Sequence, residues 1–181
     1  MRTPIFLIKD LQNKLKETFK DFPMRVDTRE TTKKEEYKNP SIWIGQSPPK
    51  KATDGDSAPL IIIRILDNDI KPNSNNVRVR EVKISLLCFA YIDEKINTEF
   101  DTESGYMDVL NMVDRVFLML CNNQYYANNH WRIEETITSK LGIEKEIGVY
   151  EGGFQNRPIF GGVVLATFTS DGIKTPTTII Q

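Results

Sequence analysis

Cysteine and histidine are nearly absent from this chain, and with them most routes by which a small protein holds a metal or runs nucleophilic catalysis. Among 181 residues there are two cysteines, Cys88 and Cys121, and one histidine, His130. Both cysteines fall inside apolar runs, where buried, reduced thiols are expected rather than a disulfide framework. His130 has no Cys or acidic neighbour at metal-ligand spacing, so an exposed structural role in an Asn-rich turn is expected. The phosphate loop, the GxGxxG fingerprint, the zinc signature and the nucleophile elbow are all missing. Asp67-Asn68-Asp69 opens like a calcium loop, but the glycine and glutamate that such a loop needs later are not there. No catalytic, cofactor or metal-ligating residue is assigned, and the expectation is a protein that is not an enzyme.

Long apolar runs are lacking too. No segment approaches the ~20 apolar residues that span a bilayer. Lys9 and Asp10 break the apolar start too early for a signal peptide. A soluble protein made in the cytoplasm, with no membrane partner, is the expectation. An excess of one charge is missing as well: 24 Lys and Arg stand against 25 Asp and Glu. That balance argues against a dedicated nucleic-acid binder, whose phosphate affinity needs a cationic surplus.

What is present suits one globular domain over 1–181, with 39% hydrophobic and 27% charged residues. Thr3-Pro4 reads as a helix start, with a capping hydroxyl and then proline at the first helical position. Ile8, Leu11, Leu15, Phe19 and Phe22 follow at helical spacing, predicting an amphipathic helix over Pro4 to Lys20 that ends before Pro23. Met24 to Asp27 and Ile42 to Ile44 fit short strands. Between and after them, 28–58 reads as an extended loop or arm, dense in charge and then in Pro, Lys, Asp and Gly. Leu60 to Leu66 is a strand signal, Asp67 to Asn76 a polar turn, and Val77 to Ile92 a long strand.

The apolar parity of that long strand switches between Val79 and Val82, predicting a β-bulge near Arg80-Glu81. A strand of sixteen residues exceeds ~50 Å, too long for one small core to cover, so the hairpin is expected to project. Asp93 to Thr102 reads as an acidic linker, followed from Thr102 or Ser104 by a helix to Cys121. Its predicted buried face is Tyr106, Val109, Leu110, Val113, Val116, Phe117 and Leu120. Trp131 to Thr138 and Ile159 to Ser170 are strands, with Gly142 at a turn and Ile143 to Tyr150 pairing back. Gly161-Gly162 inside a strand indicates close packing or a bend rather than a phosphate site. Residues 173–181 form a polar but β-prone tail. The expected class is α+β: a mixed or mainly antiparallel sheet, two principal helices on one face, a long arm and an extended hairpin.

Function is expected in surfaces that join subunits. The arm contributes Glu30, Lys33, Lys34, Trp43, Lys50 and Lys51, the hairpin Asn73, Arg78 and Arg80, and the tail Ile179 and Ile180 as interface candidates. Asp93, Glu94, Glu99, Asp101 and Glu103 form the densest acidic cluster. A solvated face explains it, and so does the lining of a ring that weakly repels a passing polyanion.

Four pieces taken in order, Leu60-Ile61-Ile62-Ile63-Arg64, the run GYMDVLNMVDRV from Gly105, Trp131-Arg132-Ile133, and Phe160-Gly161-Gly162 leading to Phe168-Thr169, resemble the tail terminator and tail-completion proteins of tailed bacteriophages. The resemblance covers roughly residues 59–172. It implies a hexameric ring that caps the completed tail tube of a phage or a phage-tail-like particle and offers the head-tail joining surface. The implied partners are other copies of the chain, the tail tube protein, the head-tail connector or neck protein and, in a contractile tail, the sheath protein. DNA would be only a passing genome, and the location would be the tail or neck of a virion assembled in the bacterial cytoplasm. Another neck or tail-tube subunit, or a small nucleic-acid-associated α+β binding module, stands as the alternative.

Overall fold

The computed structural model describes residues 3–25, 37–45, 58–72, 77–91, 99–143 and 159–170. Two helices and eight strands occur there: α1 (Pro4–Thr18), β1 (Met24–Arg25), β2 (Tyr37–Lys38), β3 (Ser41–Ile44), β4 (Leu60–Pro72), β5 (Arg78–Tyr91), α2 (Glu99–Asn122), β6 (Tyr125–Tyr126), β7 (Trp131–Ile143) and β8 (Ile159–Ser170). β1 and β2 make a small antiparallel pair, and the other six strands form one sheet in the order β3-β4-β5-β8-β7-β6. Only β3 with β4 is parallel; the remaining pairs are antiparallel. The fold is α+β, as its alternation of apolar strands and striped helices implies.

Both helices serve one face of the sheet. Leu7, Ile8, Leu11, Leu15 and Phe19 of α1 and its C-terminal turn join Val109, Met112, Val113, Val116, Met119 and Leu120 of α2 in one buried cluster. Alternate strand residues complete it: Ile61 and Ile63 of β4, Val82, Ile84, Leu86, Cys88 and Ala90 of β5, and Val164, Ala166 and Phe168 of β8. Burying each such side chain contributes about 1.5–3 kcal/mol, so this cluster dominates the stability of the fold. The intervening residues Leu60, Ile62, Leu87, Phe89 and Val163 form a second cluster on the opposite face, with Trp43 packed against it.

The sheet curls around the core. α1 touches both edge strands at once: Gln12 Nε2 donates to the Ile42 carbonyl of β3 at 3.1 Å, while the Ala127 N–H just after β6 donates to Asp10 Oδ2 at 2.8 Å. Two residues apart on a helix point to opposite flanks, so α1 lies astride the gap between the sheet's two edges. α2 packs beneath it against β5, β8 and β7. Gly162 of β8 makes room for that helix, because a Cβ there would stand 2.6 Å from Val113 Cγ2 and 2.9 Å from Val109 Cγ1. Close packing, expected from the glycine pair, is therefore the role of Gly162.

Several local expectations are corrected. The Thr3 hydroxyl makes no cap hydrogen bond; proline at the start and the Phe6 N–H to Thr3 carbonyl bond begin α1. α2 begins at Glu99 rather than near Thr102 or Ser104, since acidic residues suit a helix N-terminus and need no apolar partner to join it. Tyr106, expected inside, is 40% exposed, and Met112 and Met119 take buried positions instead. Cys121 is exposed, because it follows Leu120 by one residue and so turns about 100° off the buried stripe. Tyr37 and Lys38 of the expected loop form β2, paired with β1. β7 continues through Gly142, which pairs with Gly161, so no turn falls there.

The bulge lies on β4, not at Arg80-Glu81. Ile65 pairs with Ile84 and Asp67 with Lys83, leaving Leu66 as the extra residue. β5 keeps its register with β8 from Glu81 to Tyr91. Val79 and Val77 therefore belong to the helix-free side of the ribbon or its end, where they are half-buried and exposed, respectively. Asp67 to Pro72, expected as a turn, is strand. A second irregularity interrupts β7 between Ile133 and Ile137, opposite Phe168 and Ala166.

Candidate interaction surface

The far ends of β4 and β5 leave the sheet as a two-stranded ribbon. β3 pairs with β4 only as far as Ile63, and β8 pairs with β5 only as far out as Glu81. Beyond those points, among the described residues, Ile70–Pro72 and Arg78–Arg80 pair with each other alone, while Asp67, Asn68 and Asp69 pair with Lys83, Val82 and Glu81, which β8 flanks on the other side. The projecting hairpin expected from strand length is thus present, and its cross-strand register fixes what each face carries.

One face is a charge ladder. Asp67, Asp69 and Lys71 of β4 oppose Lys83, Glu81 and Val79 of β5. Lys71 Nζ lies 3.0 Å from Glu81 Oε1 and 3.3 Å from Asp69 Oδ2, and Lys83 Nζ lies 3.7 Å from Asp67 Oδ2. The hydrogen bond to Glu81, then that to Asp69, raises the Lys71 pKa above its ordinary value. Such exposed pairs add little stability, but they neutralise one another and set the register.

The other face, continuous with the helix side of the sheet, carries Asn68, Ile70 and Pro72 opposite Val82, Arg80 and Arg78. Ile70 is 51% exposed, the bulged Leu66 58% and Ile65 40%. Arg78 is exposed, while Arg80 is half-buried with its backbone N–H donating to Ser170 Oγ at 3.1 Å. This face therefore joins the exposed Ile70, which gains by leaving water, to the side chains of Arg78 and Arg80.

The sequence-derived candidates separate clearly. Arg78 and Arg80 come together on this face. Trp43 lies in β3, half-buried against the chain's own second cluster, with Ile62 as its register partner. Glu99, Asp101 and Glu103 belong to the first turns of α2, so the linker expected over Asp93 to Thr102 gives way to helix at Glu99. Glu30, Lys33, Lys34, Lys50, Lys51, Asn73, Asp93, Glu94, Ile179 and Ile180 lie outside the described residues, as does the tail 173–181. Sequence reasoning missed Ile65, Leu66 and Ile70 as surface residues. The apolar run Leu60 to Leu66, broken only by Arg64, hides a parity change, and Ile70 stands among turn-forming Asn and Pro.

Among the described residues, no cluster of His, Cys, Asp and Glu could hold a metal ion, and no helix is long and apolar enough to cross a membrane. His130 is exposed in the turn after β6, its N–H donating to the Ala127 carbonyl at 3.3 Å. Cys88 is buried, and burial pushes its thiol from 9.0 up to about 12, which leaves it protonated and unreactive near neutral pH. Neither the protein-family models nor the curated proteins compared with this chain give a match.

Proposed function

We propose that this chain is a structural subunit of a ring, of the kind that closes the tail tube of a tailed bacteriophage or a phage-tail-like particle and offers the surface to which the head connector joins. The ribbon carries the proposal: Ile70 is exposed on a two-stranded extension that reaches past its own sheet, and Ile65 and Leu66 are exposed nearer its base. Isolated ribbons of this kind are marginal in water, and an apolar face at their end favours a receiving surface. The order of the four sequence pieces that resemble tail terminators points the same way. The proposed partners are further copies of the chain, the tail tube, the neck protein and, in a contractile tail, the sheath, in a virion assembled in the bacterial cytoplasm. The genome passes through without being bound.

Native mass spectrometry and negative-stain images of the purified full chain test this reading. A closed ring of about six copies with a central channel is the expected result. A monomer that binds DNA with a steep salt dependence would overturn it in favour of a nucleic-acid module.

A further inference from the structure

We infer that the corner where α1 begins beside the end of β3 in one copy docks on the outward face of α2 in a second copy. The inference rests on the ring reading and names a contact that joins neighbouring copies. Two hydrogen bonds place the corner: Gln12 Nε2 donates to the Ile42 carbonyl at 3.1 Å, and Asn39 Nδ2 donates to the Lys20 carbonyl. α1 therefore runs opposite in direction to β3, and its first turns lie level with the end of that strand. Ile5 precedes Gln12 by seven residues, two helical turns, and so faces the same flank. Ile44 follows Ile42, which packs on the helix-side cluster, by two residues and shares its face. Ile65 follows Ile63 in the same way, and Ile63 pairs with Ile44. Ile5 is 58% exposed, its neighbour Phe6 56%, Ile44 43% and Ile65 40%. Four large apolar side chains thus meet water at one corner, at the base of the ribbon.

The receiving face lies on α2. Met107, Leu110, Asp114 and Leu118 follow one another at steps of three and four residues, the spacing that keeps side chains on one helix face. Met107 is 46% exposed and Leu118 58%, with Tyr106 at 40% beside Met107 and Leu110 half-buried along the stripe. With ordinary side-chain areas, each surface offers roughly 400 Å² of apolar area, the size of patch that marks an interaction site. Pressed together they would bury roughly 800 Å². At an interface about 60% apolar, that corresponds to a total of about 1,300 Å², within the range of stable complexes. Charge also fits a second copy as the occupant. Lys9 stands one turn from Ile5 and is exposed, Asp114 is exposed in the middle of the α2 face, and neither has an ion pair among the described residues. Pairing the two across the contact matches opposite charges within a largely apolar surface and sets its orientation.

The two surfaces of one chain cannot meet. Lys14 Nζ donates to Asn123 Oδ1 at 2.9 Å, and the Arg115 guanidinium lies over the Phe22 ring at 4.1 Å. Passing back along α2 from Asn123 to Arg115 therefore leads from the middle of α1 to beyond its C-terminal end. Asp114 sits at that end, whereas Lys9 is nine residues of helix before Thr18, about 14 Å, and Ile5 is farther still. Each copy thus presents one surface at the start of α1 and its complement on α2. Such a contact is heterologous: it repeats from copy to copy and closes into a ring when the rotation allows. Ile65 belongs both to the corner and to the base of the ribbon, so the ribbon reaches toward the same neighbour.

Charge exchange tests the pairing. Lys9→Glu and Asp114→Lys are made singly and together in the full chain, and assembly is followed by native mass spectrometry over a range of concentrations. Each single variant should need roughly fivefold more protein to assemble. The double variant, in which every contact again pairs opposite charges, should assemble at the parent's concentration. Ile5→Asp and Leu118→Asp, both at exposed positions, should each raise that concentration roughly tenfold or more. Thermal unfolding at the parent's temperature excludes misfolding as the cause. Where a variant unfolds earlier, a cross-link decides: Lys9→Cys with Asp114→Cys in a Cys121→Ser background should join chains through a short bis-maleimide. Parental assembly by the single charge variants, a double variant no better than the singles, or rings without the cross-link would overturn this interface and leave the ring reading standing. A parent chain that stays monomeric at every concentration would overturn both.

Discussion

The carboxylate of Asp10, in the middle of α1, accepts the backbone N–H of Ala127 at 2.8 Å. Ala127, Asn128 and Asn129 follow β6 with φ of 49°, 57° and 62°, three successive residues in the left-handed region. Asparagine tolerates that region and alanine does not, so the Asp10 bond holds a turn that opposes the intrinsic preference of its first residue. Asp10→Ala should lower stability by about 1–2 kcal/mol by leaving a half-buried N–H without its charged acceptor. Asp10→Asn, which keeps an acceptor oxygen, should recover part of the loss. Ala127→Gly should raise stability by about 1 kcal/mol by removing the Cβ penalty. Urea unfolding curves measure all three, and an Ala127→Gly variant less stable than the parent would contradict this account of the turn.

Gly162 makes a second prediction, and a sharper one. An added Cβ would stand 2.6 Å from Val113 Cγ2, 2.9 Å from Val109 Cγ1 and 3.0 Å from Leu141 Cδ2. Contacts from three sides leave no direction in which the new methyl can move, so Gly162→Ala should cost about 1–3 kcal/mol. Trimming the nearest neighbour should give some of it back, and Gly162→Ala with Val113→Ala should be more stable than the sum of the two single losses. Strict additivity in that double-mutant cycle would show that the two residues do not press on each other.

The thiols should behave differently from each other. Cys121 is exposed and should react with a maleimide within minutes at neutral pH, while Cys88 should stay unlabelled until the protein unfolds. Burial raises the Cys88 pKa from 9.0 to about 12, and it raises the Tyr126 pKa as well, with Asp10 as the next cause. For a group whose folded pKa is raised, stability is full below the unfolded value and declines as pH rises toward the folded one. Stability should therefore hold up to about pH 9 and fall through pH 9 to 12. A Cys88→Ala variant should show a shallower alkaline decline, and an unchanged slope would remove Cys88 as a contributor.

Much of the fold is legible in the apolar spacing. The α1 stripe, the strand cores and the placement of both helices on one face follow from residues such as Leu11, Leu15, Val113 and Val116, whose burial needs a common partner surface. The start of α2 is hidden because Glu99 to Glu103 carry no apolar stripe, and helix there depends on continuation from the packed turns that follow. The bulge at Leu66 is hidden because Leu60 to Leu66 is apolar at every position but Arg64, so parity cannot be read across it. Ile70 stands among Asp, Asn and Pro that favour turns, and only the register with Arg80 makes it strand. The candidate surface was half visible: Arg78 and Arg80 could be named from the sequence, but their apolar neighbours required the pairing.

Shortening the ribbon separates folding from assembly. Asn68 pairs with Val82, so replacing residues 69–81 by Asn-Gly would close β4 and β5 through a two-residue turn suited to the twist of a hairpin. None of the described residues removed is buried, whereas Val82 and every buried residue inward of it stay in place. The loss takes in the Lys71 ion pairs, the exposed Ile70, the pairing of Glu81 with Thr169 and the bond from the Arg80 N–H to Ser170 Oγ, while the Asp67–Lys83 pair stays. The shortened chain should therefore unfold cooperatively, with stability within about 1 kcal/mol of the parent, since exposed ion pairs and exposed side chains contribute little. If the ribbon holds copies together as proposed, the shortened chain should remain a monomer at concentrations where the parent assembles, because the exposed ribbon is gone. Analytical ultracentrifugation of the variant and the parent reads this, and a shortened chain that assembles like the parent would show that the ribbon takes no part in holding the copies together.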